Sequence, residues 1–140
     1  MKYVYLAGPI EGCEDEEING WRERCQEDFV DGIRGINPFR AEELGEYNAE
    51  TKKRIITKNY MDATSCDGTL AYMPKAINER RPSYGTTFEI AWAFALQKPC
   101  WIVTDDEYII NHPLMNHSSM IFLSMGEATD HINMLYEVYL

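Results

Sequence analysis

Short, nearly all-apolar runs alternate with helix-patterned stretches along the whole chain. No other feature restricts the fold as much. The runs are Lys2 to Ala7, Ile33 to Asn37, Thr69 to Met73, Cys100 to Val103 and Met120 to Ser124. Strands apolar on both faces need cover on both faces, which a parallel sheet between two helical layers provides. Between them the pattern predicts helices over about Glu17 to Asp31, Thr51 to Thr64 and Gly85 to Leu96, and a terminal helix capped by Thr129. Trp21, Cys25 and Phe29 recur every four residues in the first. The second carries Ile55, Ile56, Tyr60 and Met61, and the last Ile132, Leu135, Tyr136 and Tyr139. Gly8-Pro9, Pro38, Asp67-Gly68 and Lys98-Pro99 punctuate the pattern. The stretches 38–50, 74–84 and 105–119 are left as loops, where functional residues are expected.

At 140 residues, with no linker or repeat, the chain reads as a single domain over 1–140. Its formal net charge of -10 argues against a nucleic acid polymer as partner, because phosphate backbones select basic surfaces. It leaves room for one nucleotide in a local pocket. No apolar run approaches the ~20 residues of a membrane span, so no membrane partner is expected. Residues 1–10 read as a strand rather than a signal peptide. Cys13, Cys25, Cys66 and Cys100 show no paired spacing and read as reduced thiols of a cytoplasmic protein.

The most informative local stretch is Pro82-Ser83-Tyr84-Gly85-Thr86-Thr87-Phe88-Glu89-Ile90-Ala91. It starts a helix just after a strand, where open α/β sheets bind ligands. Glu89 there would feel the helix N-terminal field and stay ionised, or simply be a solvated residue stabilising the helix. A fixed, ionised carboxylate at a cleft can act as a nucleophile. Ser83, Gly85 and Thr86 offer hydroxyl and N–H groups to an anion. Tyr5 leads into Ala7-Gly8-Pro9-Ile10, a turn that lets a ligand approach the backbone. It is either a core aromatic or a partner to the site. Asp67, just before a strand, is either a turn former with Gly68 or an acid at the sheet edge facing the cleft.

Tyr-Leu-Ala-Gly-Pro-Ile, Cys-Asp-Gly at 66–68 and Gly-Thr-Thr-Phe-Glu-Ile-Ala-Trp-Ala with Lys98-Pro99, in this order, resemble the nucleoside 2-deoxyribosyltransferase superfamily. The resemblance covers nearly the whole chain. It implies a flavodoxin-like or Rossmann-like three-layer sandwich with a mostly parallel five-stranded sheet. It also implies a homo-oligomer with shared active sites, no cofactor or metal, and cleavage of a nucleoside N-glycosidic bond through a covalent glycosyl–enzyme intermediate. By this resemblance Glu89 is the nucleophile, Tyr5 hydrogen-bonds it, and Asp67 handles the leaving base. Gly8, Pro9, Ile10, Ser83 and Gly85 line the substrate site, and Ser118 completes a neighbour's. Such a pair, one carboxylate attacking while a second acid assists the leaving group, is the logic of retaining glycoside hydrolysis.

Transferases acting on free nucleosides tend to carry an acid six residues before the nucleophile. Here Ser83 stands there, as in the deoxynucleoside 5′-monophosphate N-glycosidases. Glu11 opposes that reading, since those enzymes have an arginine at its place and a carboxylate repels phosphate. Arg40, Arg80 or Arg81 are the candidate substitutes. Other readings fit less well. Lysine-decarboxylase-like phosphoribohydrolases carry Pro-Gly-Gly where this chain has Arg81-Pro82-Ser83. Gly8-Pro9-Ile10-Glu11-Gly12 is not a dinucleotide fingerprint, and no G-x-S-x-G elbow is present. His112, His117 and His131 lack the spacing of a zinc site. An inactive nucleoside-binding protein is the alternative of a different class.

Overall fold

The computed structural model describes residues 1–39 and 48–138. Its five strands are β1 (Lys2–Ala7), β2 (Ile33–Ile36), β3 (Gly68–Tyr72), β4 (Cys100–Val103) and β5 (Met120–Phe122). All pair in parallel, in the order β2-β1-β3-β4-β5. This is the doubly wound order in which the winding reverses between β1 and β3, and a crevice opens there at the carboxyl edge.

Alternate residues of each strand serve the two faces. Val4, Leu6, Leu70, Trp101 and Val103 pack with Trp21, Cys25 and Phe29 on one side and with Ala128, Ile132 and Tyr136. These residues belong to or adjoin α1 (Trp21–Asp28) and α7 (Met125–Glu137). Tyr5, Ala7, Ala71 and Ile102 pack on the other face with Ala63, Ile90 and Ala93. That layer is built by α2 (Ala49–Ser65) and α4 (Tyr84–Ala95).

Several expected boundaries move. A π-helical turn, Glu16–Gly20, leads into α1, which stops at Asp28 because Phe29 is extended. Asn48 caps α2 through a box with Thr51, so that helix begins earlier than its apolar residues suggest. The stretches read as loops contain α3 (Lys75–Arg80), α5 (Glu107–Ile110) and α6 (Pro113–Ser118), each too short to display a helical period. Ser124, not Thr129, caps α7 by accepting from the Glu127 N–H. Thr129 is instead buried and donates to the Met125 and Gly126 carbonyls. Tyr136 packs edge-on against Trp101 in its own core, while Tyr139 and Leu140 lie outside the described residues. Among the described residues no helix is long and apolar enough to cross a membrane.

Candidate active site

At the reversal point, a cavity of about 430 Å³ opens between α2 and α4 over the carboxyl end of β1. Its walls are Gly8 to Glu11 after β1, Arg81 to Thr86 at the start of α4, and Ile55 and Asn59 on α2, closed by Pro38. Tyr5 and Glu89 also line it. The sheet topology thus unites two segments that are far apart in the chain.

Glu89 is the sixth residue of α4, a turn and a half from its start. The helix-terminal field fades within the first turn, so burial governs this carboxyl rather than the field. Glu89 is only 7% exposed. Desolvation lifts its pKa from 4.5 to about 7, against the opposing pull of the Tyr5 hydroxyl and the Arg22 and Lys58 charges. Tyr5 is fully buried and its hydroxyl donates to Glu89 Oε2 at 2.5 Å. Desolvation first, and the adjacent carboxylate second, push the Tyr5 phenol far up, so it remains a proton donor.

Arg22 carries no motif signal and escaped the sequence reading. It is 1% exposed and donates to the Leu6, Ile18 and Gly8 carbonyls at 3.1, 2.5 and 3.2 Å. It therefore pins the turn that follows β1 and brings positive charge toward Glu89. Burial lowers its pKa to about 10, which still leaves it charged at neutral pH. Packing also demands glycine at position 8: a Cβ there would come within 2.7 Å of the Trp21 ring.

At the start of α4, Ser83 Oγ accepts from the Thr86 N–H at 3.3 Å and lies 2.6 Å from Thr86 Oγ1. Apart from its chain neighbours and its own helical backbone, a Cβ on Gly85 would meet nothing within 4 Å. Arg81 bridges to Glu11 at 3.0 Å beside the cavity. Of the arginines considered in place of the missing one, Arg81 lines the cavity, Arg80 pairs with Glu17 at 2.7 Å, and Arg40 is outside the described residues.

Asp67 does not join this group. Its carboxylate accepts from the Tyr3 N–H at 2.8 Å, and its own N–H donates to the Tyr3 carbonyl. In a parallel sheet a residue that precedes a strand falls at the amino edge, opposite the crevice; the expectation placed it at the wrong edge. Ser118, at the end of α6, contacts the Met115 carbonyl and Ser119 rather than this cavity. The histidines are dispersed: His112 Nδ1 accepts from the Leu114 N–H, His117 packs on Phe94, and His131 packs against Trp101 and Phe122.

A family model for nucleoside 2-deoxyribosyltransferases matches residues 4–130. A 2-deoxyribosyltransferase from Bacillus psychrosaccharolyticus superposes with a TM-score of 0.69 at 19% identity, covering 91% of this chain and 90% of that one. One from Leishmania mexicana gives 0.59 at 23% identity, over 76% and 66%. A CMP N-glycosidase from Clostridium botulinum gives 0.56 at 19% identity, over 99% and 100%. At these identities the structural likeness is one of fold. No curated protein matches the chain in sequence.

Proposed function

Because the chain belongs to the nucleoside 2-deoxyribosyltransferase family, we propose that it cleaves the N-glycosidic bond of a 2′-deoxynucleoside, preferably as its 5′-monophosphate, through a glycosyl–Glu89 intermediate. The buried Tyr5–Glu89 pair on the cavity wall carries this reading. An ionised Glu89 oxygen attacks the anomeric carbon as the bond to the base breaks. Tyr5 holds the carboxylate in one orientation. Water or a second base then attacks the same carbon and releases Glu89.

The start of α4 supports a 5′-phosphate there. Ser83, the Gly85 and Thr86 backbone and Arg81 lie on one wall, and a helix N-terminus favours an anion. Gly85 leaves open space on that wall. Glu11 favours the second reading, base exchange on free nucleosides, because it already occupies Arg81 and repels a phosphate. Incubating the protein with 2′-deoxynucleosides and their 5′-monophosphates, with and without a second base, separates the two. Free base from monophosphates in water alone is the expected result. Faster exchange than hydrolysis, on nucleosides, would move the chain to the transferase reading.

The same proposal includes a homo-oligomer in which Ser118 completes a neighbour's site. Ile56, Met61 and Phe88 are each about 60% exposed on the outer sides of α2 and α4, a patch of the kind that assembly covers. Light scattering tests it, and a fully active monomer would refute it.

A further inference from the structure

We infer that Asn59 is the residue that contacts the leaving base, holding it by amide hydrogen bonds without protonating it. The inference rests on the N-glycosidic reading above and goes beyond it.

Asn59 lines the cavity from α2, one turn after Ile55 and on the same face. Its Oδ1 is shielded from solvent and accepts no hydrogen bond. A buried acceptor left unpaired is penalised and calls for an explanation. Its neighbour Lys58, by contrast, is satisfied by Asp62 at 3.0 Å and the Pro38 carbonyl at 3.4 Å. A half-turn of the Asn59 amide exchanges its oxygen and nitrogen, so it can offer either to the cavity. A ligand that supplies a donor there removes the penalty.

The position says which part of the ligand this is. The anion-favouring start of α4 takes the 5′ end, and Glu89 takes the anomeric carbon. The base then falls toward α2, between Ile55 and Pro38, where Asn59 is the polar side chain among the described residues. A carboxamide sets a donor beside an acceptor, which complements the adjacent donor and acceptor of a nucleobase edge.

A neutral amide has no proton to give at physiological pH. Among the described cavity residues the carboxyls are Glu89, which attacks, and Glu11, which is paired with Arg81. Asp67 is at the other edge of the sheet. A Glu89 oxygen therefore bonds to the anomeric carbon, the carbon–nitrogen pair departs with the base, an Asn59 N–H steadies the charge, and water supplies the proton afterwards. The rate should then track how readily the base leaves as an anion.

The test uses 2′-deoxyuridine, thymidine and 5-fluoro-2′-deoxyuridine 5′-monophosphates, which differ in leaving-base acidity. Turnover is measured for wild type, Asn59→Ala and Asn59→Asp. Binding is measured in the inert Glu89→Gln background, with deoxyribose 5-phosphate as a ligand that lacks a base. Wild-type turnover should rise steeply with base acidity. Asn59→Asp, which keeps the shape, should flatten that dependence at low pH by supplying a proton. Asn59→Ala should weaken nucleotide binding about 10- to 100-fold, as two lost hydrogen bonds imply, and leave deoxyribose 5-phosphate binding unchanged. A flat wild-type dependence, or unchanged nucleotide binding in Asn59→Ala, overturns the inference and leaves the Glu89 chemistry standing. No base release by wild type from any substrate, as nucleoside or monophosphate, overturns both.

Discussion

Asp67 and Glu89 are carboxylates at opposite edges of one parallel sheet, and their surroundings give them opposite properties. Asp67 stands at the amino edge, its side chain 38% exposed, near Lys2 and bonded to a main-chain N–H. It is a strand-end clasp. Glu89 faces the carboxyl edge, nearly buried, with one phenol as its hydrogen-bond partner and a pKa pushed up to about 7. The first carboxylate stays partly in solvent beside its main-chain donor, whereas burial penalises the charge of the second. A penalty of this kind is typical of groups kept for chemistry.

The largest expected contrast is in turnover. Glu89→Ala should lower kcat by several orders of magnitude, on the order of 10⁴-fold or more, as loss of a nucleophile does. Asp67→Asn should stay within about tenfold of wild type, since it touches no reacting atom. Comparable losses in the two variants would erase the distinction.

Stability should separate them in the opposite sense. Below pH 4.5 the Glu89 carboxyl is neutral folded and unfolded, so it costs nothing. From 4.5 to about 7 the unfolded state loses its proton first, and stability falls as pH rises. The full penalty, on the order of 3 kcal/mol, applies above pH 7. Denaturation should therefore show Glu89→Gln more stable than wild type at pH 8 and level with it near pH 4. Asp67→Asn should be destabilised by about 1 kcal/mol at pH 8, from a weakened bond to the Tyr3 N–H.

The Tyr5 contact sharpens the comparison further. If ionised Glu89 attacks, kcat/KM should rise with pH and level off above about 7. Tyr5→Phe removes a hydrogen bond that favours the charged form, so its ascending limb should move to higher pH. An unmoved limb would assign that titration to another group.

The smallest effect concerns the open wall. Gly85→Val adds its Cβ into open space beside the helix. It should raise KM for the 5′-monophosphate about tenfold while leaving denaturation unchanged or improved. Equal KM values would mean that the substrate does not reach Gly85.

These contrasts also mark what the sequence carries. Apolar runs revealed the five described strands; in β3 and β4 burial on both faces leaves a run that needs no context to read. The Ser83-to-Glu89 stretch announced a helix start beside the crevice, and Tyr5 announced its phenol. Short helices such as α5 and α6 were illegible because a single turn has no period. Asp67 misled although the parallel sheet already decides its place: a residue that precedes a parallel strand falls at the amino edge, away from the crevice. Arg22 and Asn59 were missed because each looks like an ordinary helical polar residue. Only packing shows the three carbonyls around one and the unpaired amide of the other.

The most direct measurement is to trap the intermediate. A 2′-deoxynucleoside 5′-monophosphate carrying fluorine at the 2′ position destabilises the cation-like transition state and slows release of the sugar from the enzyme. After incubation, intact-mass and peptide analysis should find one glycosyl group, attached to the peptide containing Glu89 and absent from Glu89→Gln. An adduct on any other residue, or steady base release from this analogue and the natural substrate with no adduct formed, would contradict the account.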